Sequence, residues 1–197
     1  MKTLAIAPVV EGHGEQGSMF SLLTRVVCEH LGGPWPVVLP AIRQPRSKLV
    51  KPRGLERAVA LGTLKLRQVP GDVHPLVLVM LDADNDLPCV LAPRLVESMR
   101  RDDVDTACVL PNPEYETWFV AAAASLAEYL DVGSVPTDPE TSRTKKGWIE
   151  HHFRQGRYSP PIDQPRLTAR MDLAMCRAHS PSFDKLCREL GARLGAP

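Results

Sequence analysis

Acidic residues fall at three places where apolar runs end. Glu11-Gly12-His13-Gly14-Glu15 follows the first run, Asp82-Ala83-Asp84-Asn85-Asp86 another, and Asn112-Pro113-Glu114-Tyr115-Glu116 a third. Asp82 and Asp84 are two apart, so in an extended chain both point to the same side. Two carboxylates held that close repel each other unless a proton or a cation sits between them. Mg²⁺ takes oxygen ligands, binds through one or two carboxylates and keeps waters for substrate phosphates. If the first and third strands are neighbours, Glu11 adds a third carboxylate, and the set suits phosphoryl transfer, in which metal ions clamp the attacking and leaving oxygens. Asp, Asn and Gly are also common at strand exits and helix starts. Asp86, just before Leu87-Pro88, reads as an N-cap or its neighbour. Asp82 and Asp84 alone fit loop chemistry as well as metal chemistry; with Glu11-Gly12 they favour function.

Two further patterns bear on ligands. Asp82-x-Asp84-x-Asp86 imitates the start of a calcium loop, but the sixth position is Leu87 rather than Gly and the twelfth is Pro93 rather than Glu. Gly12-His13-Gly14-Glu15-Gln16-Gly17 matches G-x-G-x-x-G between a strand and a helix, the context of a dinucleotide-binding turn. Glu11 and Glu15 would place negative charge beside a pyrophosphate, and the second strand ends without the expected acid. Arg43 and Arg46 follow it instead and would suit a 2′-phosphate, so a dinucleotide-binding protein remains an alternative. Arg43, Arg46, Lys48, Lys51, Arg53 and Arg57 form a basic run interrupted by Glu56. It fits a phosphate-backbone contact and equally a solvated loop.

The elements that must position these groups alternate. Thr3–Val10 reads as strand one, Gln16–Leu31 as a helix stopped by Gly32-Gly33-Pro34, Val37–Ile42 as a short strand, and Arg43–Arg53 as a loop. A helix over Leu55–Val69 precedes Leu76–Leu81, a continuous apolar run suited to a strand buried on both faces. Pro88–Met99 reads as a helix, Thr106–Leu110 as a fourth strand, and Glu114–Leu130 as a long helix whose Tyr115, Trp118 and Phe119 face the core. Alternation of this kind predicts an α/β domain with a mostly parallel sheet, whose ligands collect at the carboxyl ends of the strands. After a polar stretch, Asp131–Arg143, come helical pieces over Gly147–Arg154, Arg166–Arg177 and Ser182–Leu194. The expected division is an α/β core over 1–131 with a helical extension over 132–197 packed on it.

Composition fits a folded chain. Of 197 residues, 44% are hydrophobic and 24% charged, the balance of a globular protein rather than a disordered one. The formal net charge of +1 makes any nucleic-acid contact local or shared with a partner. The 19 prolines, roughly 10% against a typical ~5%, fall mostly between periodic segments. Five cysteines without C-x-x-C read as reduced, mostly buried thiols of a cytoplasmic protein. No signal peptide is read at residues 1–10, and no apolar stretch approaches the ~20 residues of a membrane span.

Val10-Glu11-Gly12 after strand one and Asp82-x-Asp84 after strand three resemble the two signature elements of the Toprim domain of topoisomerases, primases and the overcoming-lysogenisation-defect nucleases. The fuller pattern is similar to a Toprim-related bacterial family called domain of unknown function 4276. The matching pieces are VVEGHGE, LDADNDLPC, NPEYETWF, KKGW, and ARMDL with SPSFDKL, which span nearly the whole chain. The resemblance implies a Toprim-like (Rossmann-like) fold, with a mostly parallel four-stranded sheet flanked by helices, and a site for Mg²⁺ or Mn²⁺. Glu11, Asp82 and Asp84 match the metal-binding core, and Glu15 the second acid of the nuclease branch. Glu114 or Glu116 matches a later acid of a second metal site, and Lys145 or Lys146 a late lysine that neutralises phosphate charge; Glu116 and Lys146 are the working choices. The implied activity is metal-dependent nuclease or other phosphodiester chemistry in DNA metabolism or phage defence. The nuclease branch carries an ATPase domain that this sequence lacks, so the resemblance implies a separate ATPase partner. A catalytically inactive Toprim-like binding module is the other alternative.

Overall fold

The computed structural model describes residues 2–141 and 145–195. Strand β1 spans Thr3–Val10, and its seven residues from Leu4 onward are buried. Helix α1 (His13–Arg25) continues into one π turn over Val26–His30. Next come β2 (Val37–Val38), β3 (Ile42–Arg43), α2 (Arg46–Leu49), α3 (Pro52–Leu66) and β4 (Val73–Met80). The core closes with α4 (Pro88–Met99), β5 (Asp105–Val109) and α5 (Glu116–Ala121).

The pairings between the strands of the sheet are parallel, in the order β2-β1-β4-β5 with β3 pairing β1 beyond β2, and an isolated antiparallel bridge joins Leu130 to Phe153 outside it. The α/β fold with helices on both faces is as expected, but the sheet has five strands rather than four. Val37–Ile42 is not one strand: Leu39 N–H still donates to the Ile6 carbonyl at 2.8 Å, but Pro40 has no N–H for a ladder bond, and the segment leaves β1 there until Ile42. Each half then pairs separately, Val37 with Ala5 and Ile42 with Val9.

Alternation along the strands divides the core. Leu4, Ile6, Val10, Leu76, Leu78 and Met80 face one way, toward α1 and α5. Ala5, Ala7, Val9, Val77, Val79 and Leu81 face the other, toward α3 and α4. Val9 pairs with both Val79 and Ile42. Glu11, Asp82 and the residues after Arg43 therefore leave the sheet at one rim.

The remaining helices are α6 (Lys145–His152), α7 (Pro160–Thr168), α8 (Leu173–His179) and α9 (Pro181–Leu194). They share the first hydrophobic cluster with β1 and α1, through Ile149, Leu167, Cys176, Phe183, Leu186 and Leu190. The helix expected over Arg166–Arg177 is two, because Asp172 ends the first path. Its side chain accepts the Met175 N–H at 2.8 Å and caps α8. The long helix expected over Glu114–Leu130 stops at Ala121 and becomes a 3₁₀ turn over Ala123–Leu126. There the Ser125 hydroxyl donates to the Ala122 carbonyl at 2.6 Å, a local bond that competes with the helix. Among the described residues, no helix is long and apolar enough to cross a membrane. Cys108, Cys176 and Cys187 are buried, Cys89 is exposed, and all five cysteines are free thiols.

Candidate functional site

The three acidic segments meet at the carboxyl rim. The loop after β4 is tied to the loop after β5 by two backbone bonds, Ala83 N–H to the Pro111 carbonyl at 2.9 Å and Asp84 N–H to Pro113 at 2.8 Å. Asp84 takes a positive φ of 53°, a conformation that Asp tolerates better than most residues. The turn sets Asp82 inward, where its Oδ1 accepts the Tyr115 N–H at 2.8 Å. It leaves Asp84 and Asp86 exposed.

Glu11 stands beside them. The backbone amide of Asp82 faces its carboxylate and pulls it down, while its Oε2 is buried with no hydrogen-bond partner. Burial, then the charges of Asp84 and Glu15, push the Glu11 carboxyl up to about 7, against the opposing pull of Arg46 and the Asp82 amide. Asp82 is raised well above the usual carboxylate range by burial and by the charges of Glu15, Glu11, Glu116 and Glu114. The cluster as a whole is short of positive charge.

The other acids are near but differently engaged. Glu15 is buried and folds back over the start of α1, where the backbone amides of its own residue and of Gly12 favour its anion. This is one half of a capping box. It also explains Gly12, since a Cβ there would lie 2.1 Å from Glu15 Oε2. Glu116 is buried, and its Oε1 accepts the Tyr158 hydroxyl and the Gln164 amide, both at 3.0 Å. Glu114 accepts the Lys146 N–H. Burial raises all three of these carboxyls. Lys146 is exposed and its charge acts on both Glu15 and Glu114. Lys145, fully buried, has its ammonium pulled down by desolvation.

Arg46 is the cation already present. Its guanidinium donates to the Asp82 carbonyl, to the Ala83 carbonyl at 3.2 Å and to Asp86 at 2.5 Å, and its Nε lies 3.0 Å from Asp84 Oδ2. Arg43 reaches the Glu11 carbonyl at 3.5 Å. Asp86 therefore stands one residue before the α4 cap and pairs with Arg46. Lys48, Lys51 and Arg53 lie apart from the carboxylates, in a pocket between α2 and α3.

Among the described residues, no three His, Cys, Asp or Glu side chains are placed to hold one ion as they stand. The reason lies in the bonds above: Arg46 holds Asp84, a backbone amide holds Asp82, and Glu15 and Glu116 face their own partners. The donor chemistry nonetheless suits a hard divalent cation, being all oxygen and anionic, with one buried carboxylate oxygen unpartnered.

The glycines of the G-x-G-x-x-G match have packing roles. A Cβ on Gly14 would lie 1.9 Å from Gln164 Oε1 and 2.9 Å from the Pro160 carbonyl, and one on Gly17 2.9 Å from Pro165 Cγ. They let α7 press against α1, and Glu15 takes the amides that a pyrophosphate would use.

The model of the family described as Domain of unknown function (DUF4276) matches residues 10–191. The chain belongs to this family. No curated protein matches it and no solved structure does. The family match takes in the carboxylates of the rim, from Glu11 to Glu116, and reaches into α9.

Sequence reasoning reached Glu11, Asp82 and Asp84 but missed Tyr158 and Gln164. These bind Glu116 from 42 and 48 residues away, and no local spacing announces them. Arg46 stands in the sequence as part of a basic run and as a candidate partner of a 2′-phosphate; nothing in the run separates a residue clamped on a loop from one facing solvent.

Proposed function

We propose that this protein is a Toprim-like, divalent-cation-dependent phosphodiester-processing protein that acts on nucleic acid. The observation that carries the reading is the crowding of Glu11, Asp82 and Asp84 at one rim, with Glu11 Oε2 buried and unpartnered and its carboxyl pushed up to about 7. Anions gathered so closely call for a proton or a metal ion.

Glu11, Asp82 and Asp84 would hold Mg²⁺ or Mn²⁺, with Glu15, Glu114 and Glu116 behind them as further negative charge. The ion, when bound, supplies Lewis-acid stabilisation of charge at phosphorus. Burial and the neighbouring Asp84 and Glu15 hold the Glu11 carboxyl up at about 7, so it would lose a proton more readily with a cation held beside it. Lys146, exposed beside Glu15 and Glu114, offsets negative charge developing on the phosphate. Arg46 holds the 82–86 loop in shape by its two carbonyl contacts.

The test is Mn²⁺-dependent cleavage of DNA and RNA by the intact protein. Glu11→Gln and Asp82→Asn are each expected to abolish cleavage while leaving the circular dichroism spectrum unchanged. Full activity in both variants overturns the mechanism. Metal-dependent binding without cleavage in the wild type would favour a non-hydrolysing module.

A further inference from the structure

The basic run divides into two structural groups. Arg43 and Arg46 turn to the carboxylate loops. Lys48, Lys51, Arg53 and Arg57 instead line a pocket of about 450 Å³ between α2 and the first turns of α3. Its lining contains no acid, and its apolar side is formed by Ala58 and Leu61. Among the described residues none of the four cations forms an ion pair. In a chain of net charge +1, four unpaired cations around one concavity make a strong local field.

The pocket walls are fixed by backbone. Lys51 N–H donates to the Lys48 carbonyl at 3.1 Å, and Gly54 N–H to the Lys51 carbonyl at 2.9 Å. A Cβ on Gly54 would lie 2.1 Å from the Lys48 carbonyl oxygen, so the α2–α3 turn packs backbone on backbone and only glycine fits. Helix α2 has Arg46 on the carboxylate loop and Lys48 in the pocket. Four helical residues span about 6 Å, so the two sites are close neighbours on the rim.

We propose that this pocket is a docking subsite for a sugar–phosphate stretch of the nucleic-acid strand, beside the carboxylates and distinct from them. Cationic walls match phosphates, and the Ala58–Leu61 side matches the apolar faces of the intervening sugars. A nucleic-acid strand repeats this alternation of anion and apolar ring at every nucleotide, whatever its sequence. The inference rests on the nucleic-acid part of the reading above, not on cleavage.

The probe is a fluorescein-labelled oligonucleotide of about 15 nucleotides, a length that such surfaces cover, in DNA and RNA forms. Anisotropy is read in EDTA, where metal-dependent cleavage is silent, across a salt series. The triple variant Lys51→Gln/Arg53→Gln/Arg57→Gln changes only exposed side chains. It is expected to lose about 2 units from the slope of log K against log salt, at ~0.7 per phosphate contact for a single strand, and to bind at least roughly tenfold more weakly. Arg94→Glu, exposed on α4, is expected to keep the wild-type slope. A wild type that binds neither oligonucleotide overturns the proposal, as does a triple variant with the wild-type slope and affinity. Glu11→Gln separates the two ideas: it is expected to abolish cleavage and keep the binding slope. If the wild type never cleaves but the triple variant loses binding, the docking subsite stands and the hydrolytic reading falls.

Discussion

Glu11 concentrates the physics of the site. A buried carboxyl shifts upward because desolvation penalises its anion, and the neighbouring Asp84 and Glu15 add to the shift. The folded state therefore holds a proton that the unfolded chain has released. Stability from this source is full below the ordinary value of 4.5 and is lost as pH rises through about 7. Asp82 is shifted in the same direction and steepens the loss. In EDTA, melting scans between pH 5 and pH 8 are expected to show a decline of roughly 1 to 2 kcal/mol, after allowance for solvent screening of a partly exposed group. That is a few degrees for a chain of this size. A flat profile would contradict the crowding. Glu11→Gln removes one charge from the cluster, so in EDTA at pH 8 it is expected to melt higher than wild type, by about 1 kcal/mol equivalent. It is also expected to lose any Mn²⁺-induced rise in melting temperature. A site whose mutation stabilises the fold is one held under strain for function.

At the level of elements, α7 matters more than its distance in sequence suggests. It lies on α1 and supplies Gln164 to Glu116, while Gly14 and Gly17 clear the space for it. Gly14→Ala places a methyl against Gln164 and the Pro160 carbonyl. The expected cost is about 1 to 3 kcal/mol, as for overpacking elsewhere, and is measured by urea unfolding; an unchanged midpoint would show that α7 can shift freely. Much of this architecture is legible in the sequence. Thr3–Val10 and Pro88–Met99 have the bounds expected of them, because a continuous apolar run and a proline-started amphipathic stretch are strong local signals. The adjacency of β1 and β4, which brings Glu11 to Asp82, is only a condition in the sequence and is supplied by the register of the sheet. Other features depend on partners far along the chain. The break at Asp172 is fixed by its own cap, and the pairing of Glu116 with Tyr158 needs the C-terminal helices folded over the sheet. The division of the basic run between loop clamp and open pocket requires the α2 turn, which the run of Lys and Arg conceals.

For the molecule as a whole, the C-terminal helices are part of the main core. Phe183 meets Trp118 edge to face at 5.1 Å between ring centroids, and Tyr115 donates to or accepts from Thr168 at 2.9 Å. A chain cut after Asp131 would expose this apolar cluster, so it is expected to give no cooperative thermal transition, whereas the full chain gives a single one. Independent melting of residues 1–131 would contradict that. The rim then gathers the carboxylates, Arg46 bracing the 82–86 loop, Lys146 near Glu15 and Glu114, and the cationic pocket next to Arg46 along α2. Charge is what holds this surface in tension. Isothermal titration of Mn²⁺ into the intact protein at pH 7, repeated in buffers of different ionisation enthalpy, counts the protons released as the ion binds. Binding with net proton release is expected in the wild type, with the release reduced or abolished in Glu11→Gln. Absence of Mn²⁺ binding, or identical affinity and proton release in Glu11→Gln, would contradict it.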